Sequence, residues 1–174
     1  MPLSKMKTIF ESYTIRSARP EDVDRCYEIE SISYEGDEAA TRKKIAKRIA
    51  IYPDGFMVIE VGGTVVGFVN SGSTDQVKMS DESFKELVGH DPDGKHNVIM
   101  SVVVHPEFHG KGLSSILMHN YILRMRKLRK ESIHLMCKER HIALYEKFGF
   151  RYIKRSASTH GGMSWHEMIL SLHN

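Results

Sequence analysis

Cysteine is scarce: Cys26 and Cys137 are the only two in 174 residues. They lie far apart and fit no metal-ligand spacing. That excludes a disulfide framework and points to a reducing compartment. Long apolar runs are missing too. The opening "MPLSKMKTIF" has too short an apolar stretch for a signal peptide, and no segment is apolar enough to span a bilayer. Charge of one sign is not in strong excess. The net charge of +3 falls short of the dense basic footprint of a nucleic-acid binder. The longest basic cluster, "RMRKLRKE" from Arg124 to Glu131, reads as the solvated end of a helix. Repeats and low-complexity stretches are also lacking. With these absences the chain reads as a cytosolic or nuclear protein, cytoplasmic being the expected place, and no nucleic-acid or membrane partner is expected.

What is present is an ordinary globular composition, 41% apolar and 27% charged. The length suits one core rather than two. We expect a short N-terminal extension over residues 1–12 and a single domain over 13–174. "YTIRSA" alternates as a strand should, and Pro20, Glu21 and Asp22 open a helix. Its inner stripe is expected at Val23, Cys26, Tyr27, Glu30 and Tyr34, with Glu30 out of place among apolar neighbours. A second helix over 39–51 stops at "YPDG", and "FMVIEVGGTVVGFVN" reads as a hairpin around Gly62-Gly63. Residues 71–97 read as a long polar loop with a helical turn or two at "SDESFKELVG". After it come a strand over 98–104, a helix over 112–130, a strand at "SIHLMC", a helix at "IALYEKFGF" and two closing strands. The order predicts an α/β (α+β) fold, a mixed sheet of about seven strands flanked by helices.

The chemistry concentrates in "SVVVHPEFHGKGLSSILMHNYI". A strand breaks at His-Pro, crosses a glycine loop and re-emerges as a helix, so bare N–H groups meet a helix N-terminus where anions bind. Lys111 precedes Gly112 and Leu113 follows it, which does not fit a Walker-A loop; only Gly110 and Gly112 are present, too few for a dinucleotide fingerprint. A coenzyme pyrophosphate suits the cradle. The span resembles the acetyl-CoA motif of the GNAT superfamily of N-acetyltransferases: strand, V-x-P-x-Y/F, Q/R-x-x-G-x-G/A, helix. The loop is His109, Gly110, Lys111, Gly112, Leu113 and Ser114, with His109 in place of Gln or Arg and Ser114 in place of Gly or Ala. "IALYEKFGFRYI" is similar to the superfamily's A-x-x-x-Y-x-x-x-G-F segment, while Lys138 and His141 replace its usual Asn and Ala. "YEIESISY", "LMCKERHIALYEKFGF" and "HEMILSL" resemble the arylalkylamine (serotonin) N-acetyltransferase branch.

The resemblance implies a GNAT fold with a splayed sheet centre and acetyl-CoA as co-substrate, held by Val102, Val103, Val104, the loop from His109 to Ser114, Ser115 and Tyr145. It implies that the Tyr145 hydroxyl faces the coenzyme sulfur as general acid, and that a small primary amine, in this branch an arylalkylamine, attacks directly in a ternary complex. The branch carries two strand histidines, and the matching positions here are Val98 and Met100, neither able to move a proton. Another base is needed. Glu30, on an otherwise apolar stripe, leads; Glu35, Glu38 and His96 follow, with Glu35, Glu38 and Met100 placed near the amine. Cys26 and Cys137 read as structural, and no metal is called for. A monomer or weak dimer is expected. Two rivals stay open: a protein acetyltransferase, and a non-catalytic acyl-CoA-binding regulator.

Overall fold

The computed structural model describes residues 12–34 and 36–173. Glu35 and nearly all of the expected N-terminal extension lie outside them. The strands are β1 (Tyr13–Ser17), β2 (Phe56–Val61), β3 (Thr64–Thr74), β4 (His96–Val104), β5 (Ser132–Cys137), β6 (Arg151–Arg155) and β7 (His166–Ser171). The helices are α1 (Val23–Ser33), α2 (Arg42–Ile51), α3 (Leu113–Lys127) and α4 (Ile142–Lys147). The strands form one seven-stranded sheet, ordered β1-β2-β3-β4-β5-β7-β6. Every neighbouring pair is antiparallel except β4 and β5, which are joined by the crossover helix α3. Helices cover both faces. Leu117, Tyr121 and Met125 of α3 pack with Ile59, Ile133 and Phe150 on one side; Cys26 and Ile29 of α1 and Ile45 of α2 pack with Phe56, Phe68 and Val103 on the other.

The splayed centre is explicit in the register. β4 pairs with β5 only through His96↔Ser132, Asn97↔Ile133 and Val98↔His134. Beyond Val98 the two strands separate, so the rest of β4 faces a cleft. On its other edge β4 stays paired to β3, but the register slips between Asn70 and Ser71: Asn70 meets Ser101 while Ser71 meets Ile99. Met100 is the extra residue of this bulge, and it reverses which side chains face which helix layer. Ile99 packs toward α3, whereas Val103 packs toward α1.

Three expectations need correction. Tyr27 is 39% exposed, and Ile29 takes its place on the inner stripe with Val23, Cys26 and Glu30. At 3.6 residues per turn Tyr27 falls roughly a quarter-turn off the centre of that stripe. Residues 71–74, expected in a loop, are the buried end of β3. They lack apolar side chains because hydrogen bonds replace apolar contact: Ser71 Oγ donates to the Gly55 carbonyl at 3.0 Å and Ser73 Oγ to that of Gly94 at 3.0 Å. The basic cluster is not wholly solvated either. Lys130 is 7% exposed, and its ammonium donates to Ser73 Oγ (2.9 Å), the Pro92 carbonyl (2.7 Å) and the Gly94 carbonyl (2.6 Å).

Lys130 thus ties the 75–95 loop to the end of β3. Lys130→Met removes three hydrogen bonds, leaving the Pro92 carbonyl without the ammonium and the Ser73 hydroxyl and Gly94 carbonyl with only each other, and should cost about 2–3 kcal/mol of stability. Urea denaturation measures it, and amide exchange should show the loss first in the loop.

Candidate functional site

The cleft between β4 and β5 opens into a cavity of about 530 Å³. Val98 to Val104 form one wall and Leu135, Met136 and Cys137 the opposite one. At one end lies the glycine loop. The end of α1, residues 38–40, Arg48, Phe84, His160 and Trp165 close the other.

The loop end is built as an anion cradle. Gly110 (φ 74°) and Gly112 (φ 76°) take left-handed conformations that side chains disfavour. Gly112 is the N-cap of α3 and offers no side-chain cap. The first helical acceptor bond in this turn is from the Ile116 N–H to the Gly112 carbonyl at 3.2 Å. The N–H groups of Leu113, Ser114 and Ser115 precede it and have no place in the helical ladder. His109, Gly110, Gly112, Leu113 and Ser114 line the cavity; Lys111 of the loop and Ser115 in the first turn of α3 are outside its wall. Both flanking histidines pin the loop itself. His109 Nε2 donates to the Val104 carbonyl at 2.7 Å, and His105 Nδ1 accepts from the Glu107 N–H at 3.1 Å. A phosphate would find main chain and dipole here, consistent with a coenzyme pyrophosphate.

Between the two ends stands Tyr145. It lies half-buried on α4, edge-on to Phe150 at 5.8 Å between ring centroids, and lines the cavity. Burial, with the nearby Cys137 adding to it, pushes its phenol well above the ordinary value. The hydroxyl therefore keeps its proton through the neutral range. Across the cleft, the Tyr34 hydroxyl donates to the Val102 carbonyl at 3.4 Å.

The far end holds the carboxylate that the sequence singled out. Glu30 is 2% exposed and faces the cavity. Its Oε2 accepts from the Ala40 N–H at 2.7 Å, while Oε1 has no protein partner among the described residues. Burial pushes its pKa up; the Ala40 N–H and then the Arg48 charge oppose that, and the Ser101 hydroxyl lies close enough to do the same. Ser101 Oγ nevertheless completes no hydrogen bond with it. Arg48, which sequence reasoning missed in "RKKIAKRIAI", is 3% exposed and donates to the Lys85 carbonyl through Nε (3.2 Å) and Nη2 (3.0 Å). Burial lowers its pKa to about 10, with Glu30 acting the other way. Only its place in the i, i+4 line with Lys44 and Tyr52 could have hinted at this.

Of the other base candidates, Glu38 and His96 are otherwise engaged. Glu38 lines the cavity, but its Oε1 is ion-paired with Lys138 Nζ at 2.7 Å, a contact whose angle falls outside hydrogen-bond geometry. Lys138 Nζ also lies 5.9 Å from the centre of the Trp165 ring. His96, expected just before the strand, is the first residue of β4, yet its Nδ1 is shared with Ser132 Oγ at 2.6 Å, and that hydroxyl also contacts His134 Nε2 at 2.8 Å. Neither histidine is in the cavity wall. Met100 is in the wall, beside Phe84, whose ring lies where a Cβ on Gly72 would intrude, 2.7 Å away. Among the described residues no group of three or more His, Cys, Asp or Glu is placed to hold a metal, and no helix is long and apolar enough to cross a membrane.

Residues 23–150, from the first helix through the glycine loop to the Y-x-x-x-G-F segment, match the family model described as Acetyltransferase (GNAT) family. The chain belongs to this family. As a GNAT N-acetyltransferase it is 27% identical over 162 residues to the serotonin N-acetyltransferase of Mesocricetus auratus, an alignment covering 90% of this chain and 76% of that one. The fold is shared with the loading GNATL domain of CurA from Lyngbya majuscula at a TM-score of 0.81 and 14% identity, over 92% of this chain and 98% of that one. It is shared also with yncA of Salmonella typhimurium, solved with its cofactor acetyl-CoA, at a TM-score of 0.69 and 22% identity, covering 94% and 95% of the two chains. In this GNAT chain the glycine loop and the splayed sheet adjoin, so the anion cradle and the two catalytic candidates, Tyr145 and Glu30, share one cavity.

Proposed function

We propose that this GNAT enzyme transfers the acetyl group of acetyl-CoA to a small primary amine with an apolar or aromatic body, by direct attack in a ternary complex. The observation that carries this reading is Glu30, a buried carboxylate with one oxygen free of protein partners, in an end of the cavity also walled by Met100, Phe84, Tyr34 and Trp165. Such a place suits a single cationic nitrogen on an apolar carrier. Among the described residues, Glu38 is paired with Lys138, and Glu82 with Lys85 at 3.1 Å and His160 at 3.3 Å.

The residues divide the work. The glycine loop and the first turn of α3 hold the coenzyme's phosphates. The unpaired edge of β4 from Val102 to Val104 lines up the pantetheine and thioester. When bound, acetyl-CoA supplies the activated acyl carbon. Glu30 takes a proton from the ammonium, whose freed lone pair forms the new N–C bond. The C–S bond breaks as Tyr145 gives its proton to the departing sulfur; the phenolate takes back the surplus proton of the new amide nitrogen, and Glu30 returns its proton to solvent, so that ammonium and thioester yield amide, thiol and one released proton. Cys137 and Cys26 take no part, since burial pushes both thiols up, to about 11 and about 12.

Two measurements test this. Thiol release from acetyl-CoA across a panel of phenylalkylamines, polyamines and lysine peptides should favour the phenylalkylamines in kcat/KM by tenfold or more. A preference for peptides would instead support a protein acetyltransferase, and no release with any amine a regulator. Gly112→Val forces a β-branched residue to φ 76° and fills the space a phosphate needs. It should weaken acetyl-CoA binding more than tenfold by calorimetry; an unchanged affinity would remove the loop from the coenzyme site.

A further inference from the structure

Two buried charges of opposite sign line one cavity without pairing. Glu30 is 2% exposed and Arg48 3%, and both are in the cavity wall. Each is held by main chain rather than by the other. Glu30 Oε2 accepts from the Ala40 N–H, and Oε1 has no protein partner among the described residues. Arg48 gives Nε and Nη2 to the Lys85 carbonyl, and its Nη1 makes no hydrogen bond among the described residues. The two lie near enough for each charge to favour the ionised form of the other. Among the described residues they nevertheless form no ion pair.

A guanidinium taken out of water is costly unless a carboxylate meets it, and one neutral carbonyl offsets little of that cost. A buried carboxylate without a cation is in the same position. Packing alone would favour an apolar residue at position 48, like the Ile45 and Ile49 that α2 buries beside it. The surroundings lean toward a negative ligand group as well. Lys44 and Lys78 line the cavity too, against Asp81, whose Oδ1 already accepts from the Ser83 N–H at 3.0 Å. Lys85, also in the wall, is held by Glu82.

We infer that the acceptor is an α-amino acid with an apolar or aromatic side chain, its ammonium on Glu30 and its carboxylate on the guanidinium of Arg48. Such a molecule carries both charges on one carbon, so it joins two charges that do not reach each other. The planar guanidinium can meet both carboxylate oxygens. A simple amine fills only the Glu30 half and leaves Arg48 unmatched. The side chain then has Phe84, Met100 and Trp165 for its wall. This inference deepens the proposed function and rests on it, with Glu30 still the base and acetyl-CoA the donor. Bond changes are the same as for a simple amine: the N–C bond forms, the C–S bond breaks, and the products are an N-acetyl amino acid, free thiol and one released proton. The carboxylate keeps its bonds, so Arg48 binds and orients the acceptor.

Kinetics with L-phenylalanine and 2-phenylethylamine test this, because the two share ring, spacer and amine and differ only in the carboxylate. L-Phenylalanine should show a kcat/KM at least tenfold higher, chiefly through a lower KM. Arg48→Met should lower that value for L-phenylalanine at least tenfold more than for 2-phenylethylamine. Arg48→Lys, which keeps the charge but loses the fork, should fall between wild type and Arg48→Met. The comparison of substrates on the wild type decides the matter should the variants not fold. If 2-phenylethylamine is used as well as L-phenylalanine or better, or if Arg48→Met lowers both alike, this inference is overturned and the amine acetyltransferase stands. If neither compound releases thiol from acetyl-CoA, the proposed function falls with it.

Discussion

Replacing Glu30 by glutamine is expected to lower kcat about 100-fold and to erase the acid limb of the pH–rate profile. A positioned general base contributes on the order of 10²–10⁴ in rate, and Gln keeps the size and the acceptor for the Ala40 N–H but cannot take a proton. In the wild type that limb should lie above the 4.5 of an ordinary glutamate, because burial raises Glu30 more than Ala40 and Arg48 lower it. The effect on stability has the opposite sign. A carboxyl raised on folding is most favourable below 4.5, and its contribution is lost as pH rises through the raised value. At neutral pH the wild type therefore holds an ionised Glu30 at a cost, which Gln removes. The variant should melt no lower than the wild type at pH 8 while being nearly inactive, a stability–activity trade-off. Stopped assays from pH 5 to 9, with melting curves beside them, check both halves.

Tyr145→Phe is expected to reduce kcat by about 10- to 100-fold with little change in stability. The phenylalanine ring keeps the edge contact with Phe150, and among the described residues the Tyr145 hydroxyl has no hydrogen bond to lose. The raised phenol pKa gives the prediction its shape: the hydroxyl stays protonated across the assay range, so the loss should be the same at every pH. A loss confined to alkaline pH would contradict the assignment. Thioesters whose thiol is a better leaving group need less proton donation, and with them the variant should recover most of its rate.

Much of this was readable in the residues, and the exceptions share a physical cause. Glycines carried the loop and the hairpin: Gly62-Gly63 turns β2 into β3, and Gly110 and Gly112 adopt the left-handed backbone that the cradle requires. Apolar spacing placed Glu30 on the inner face of α1, where it lies. Tyr145 stands in register with the family segment and in the cavity wall. What escaped was set by backbone irregularity and by long-range pairing. Alternation along β4 gives no sign that Met100 is a bulge, so nothing in "VIMSVVV" places Ser101 beside Glu30. Ser71 to Thr74 look like loop because their burial is secured by hydrogen bonds and by the Lys130 ammonium. Glu38 read as a possible base because its partner, Lys138, is a hundred residues away along the chain and meets it only in the folded state. Arg48, in a helix rich in basic residues, could not be told from its solvated neighbours.

The most direct test of the central claim is a competition. Equimolar 2-phenylethylamine and a lysine-containing peptide are mixed with limiting acetyl-CoA and the purified protein, and the acetylated products are separated by mass. Acetyl transfer to the small amine in large excess over the peptide, lost in Glu30→Gln, is the predicted result. Acetyl on the peptide alone, or an equal yield of acetylated amine from Glu30→Gln, would contradict it.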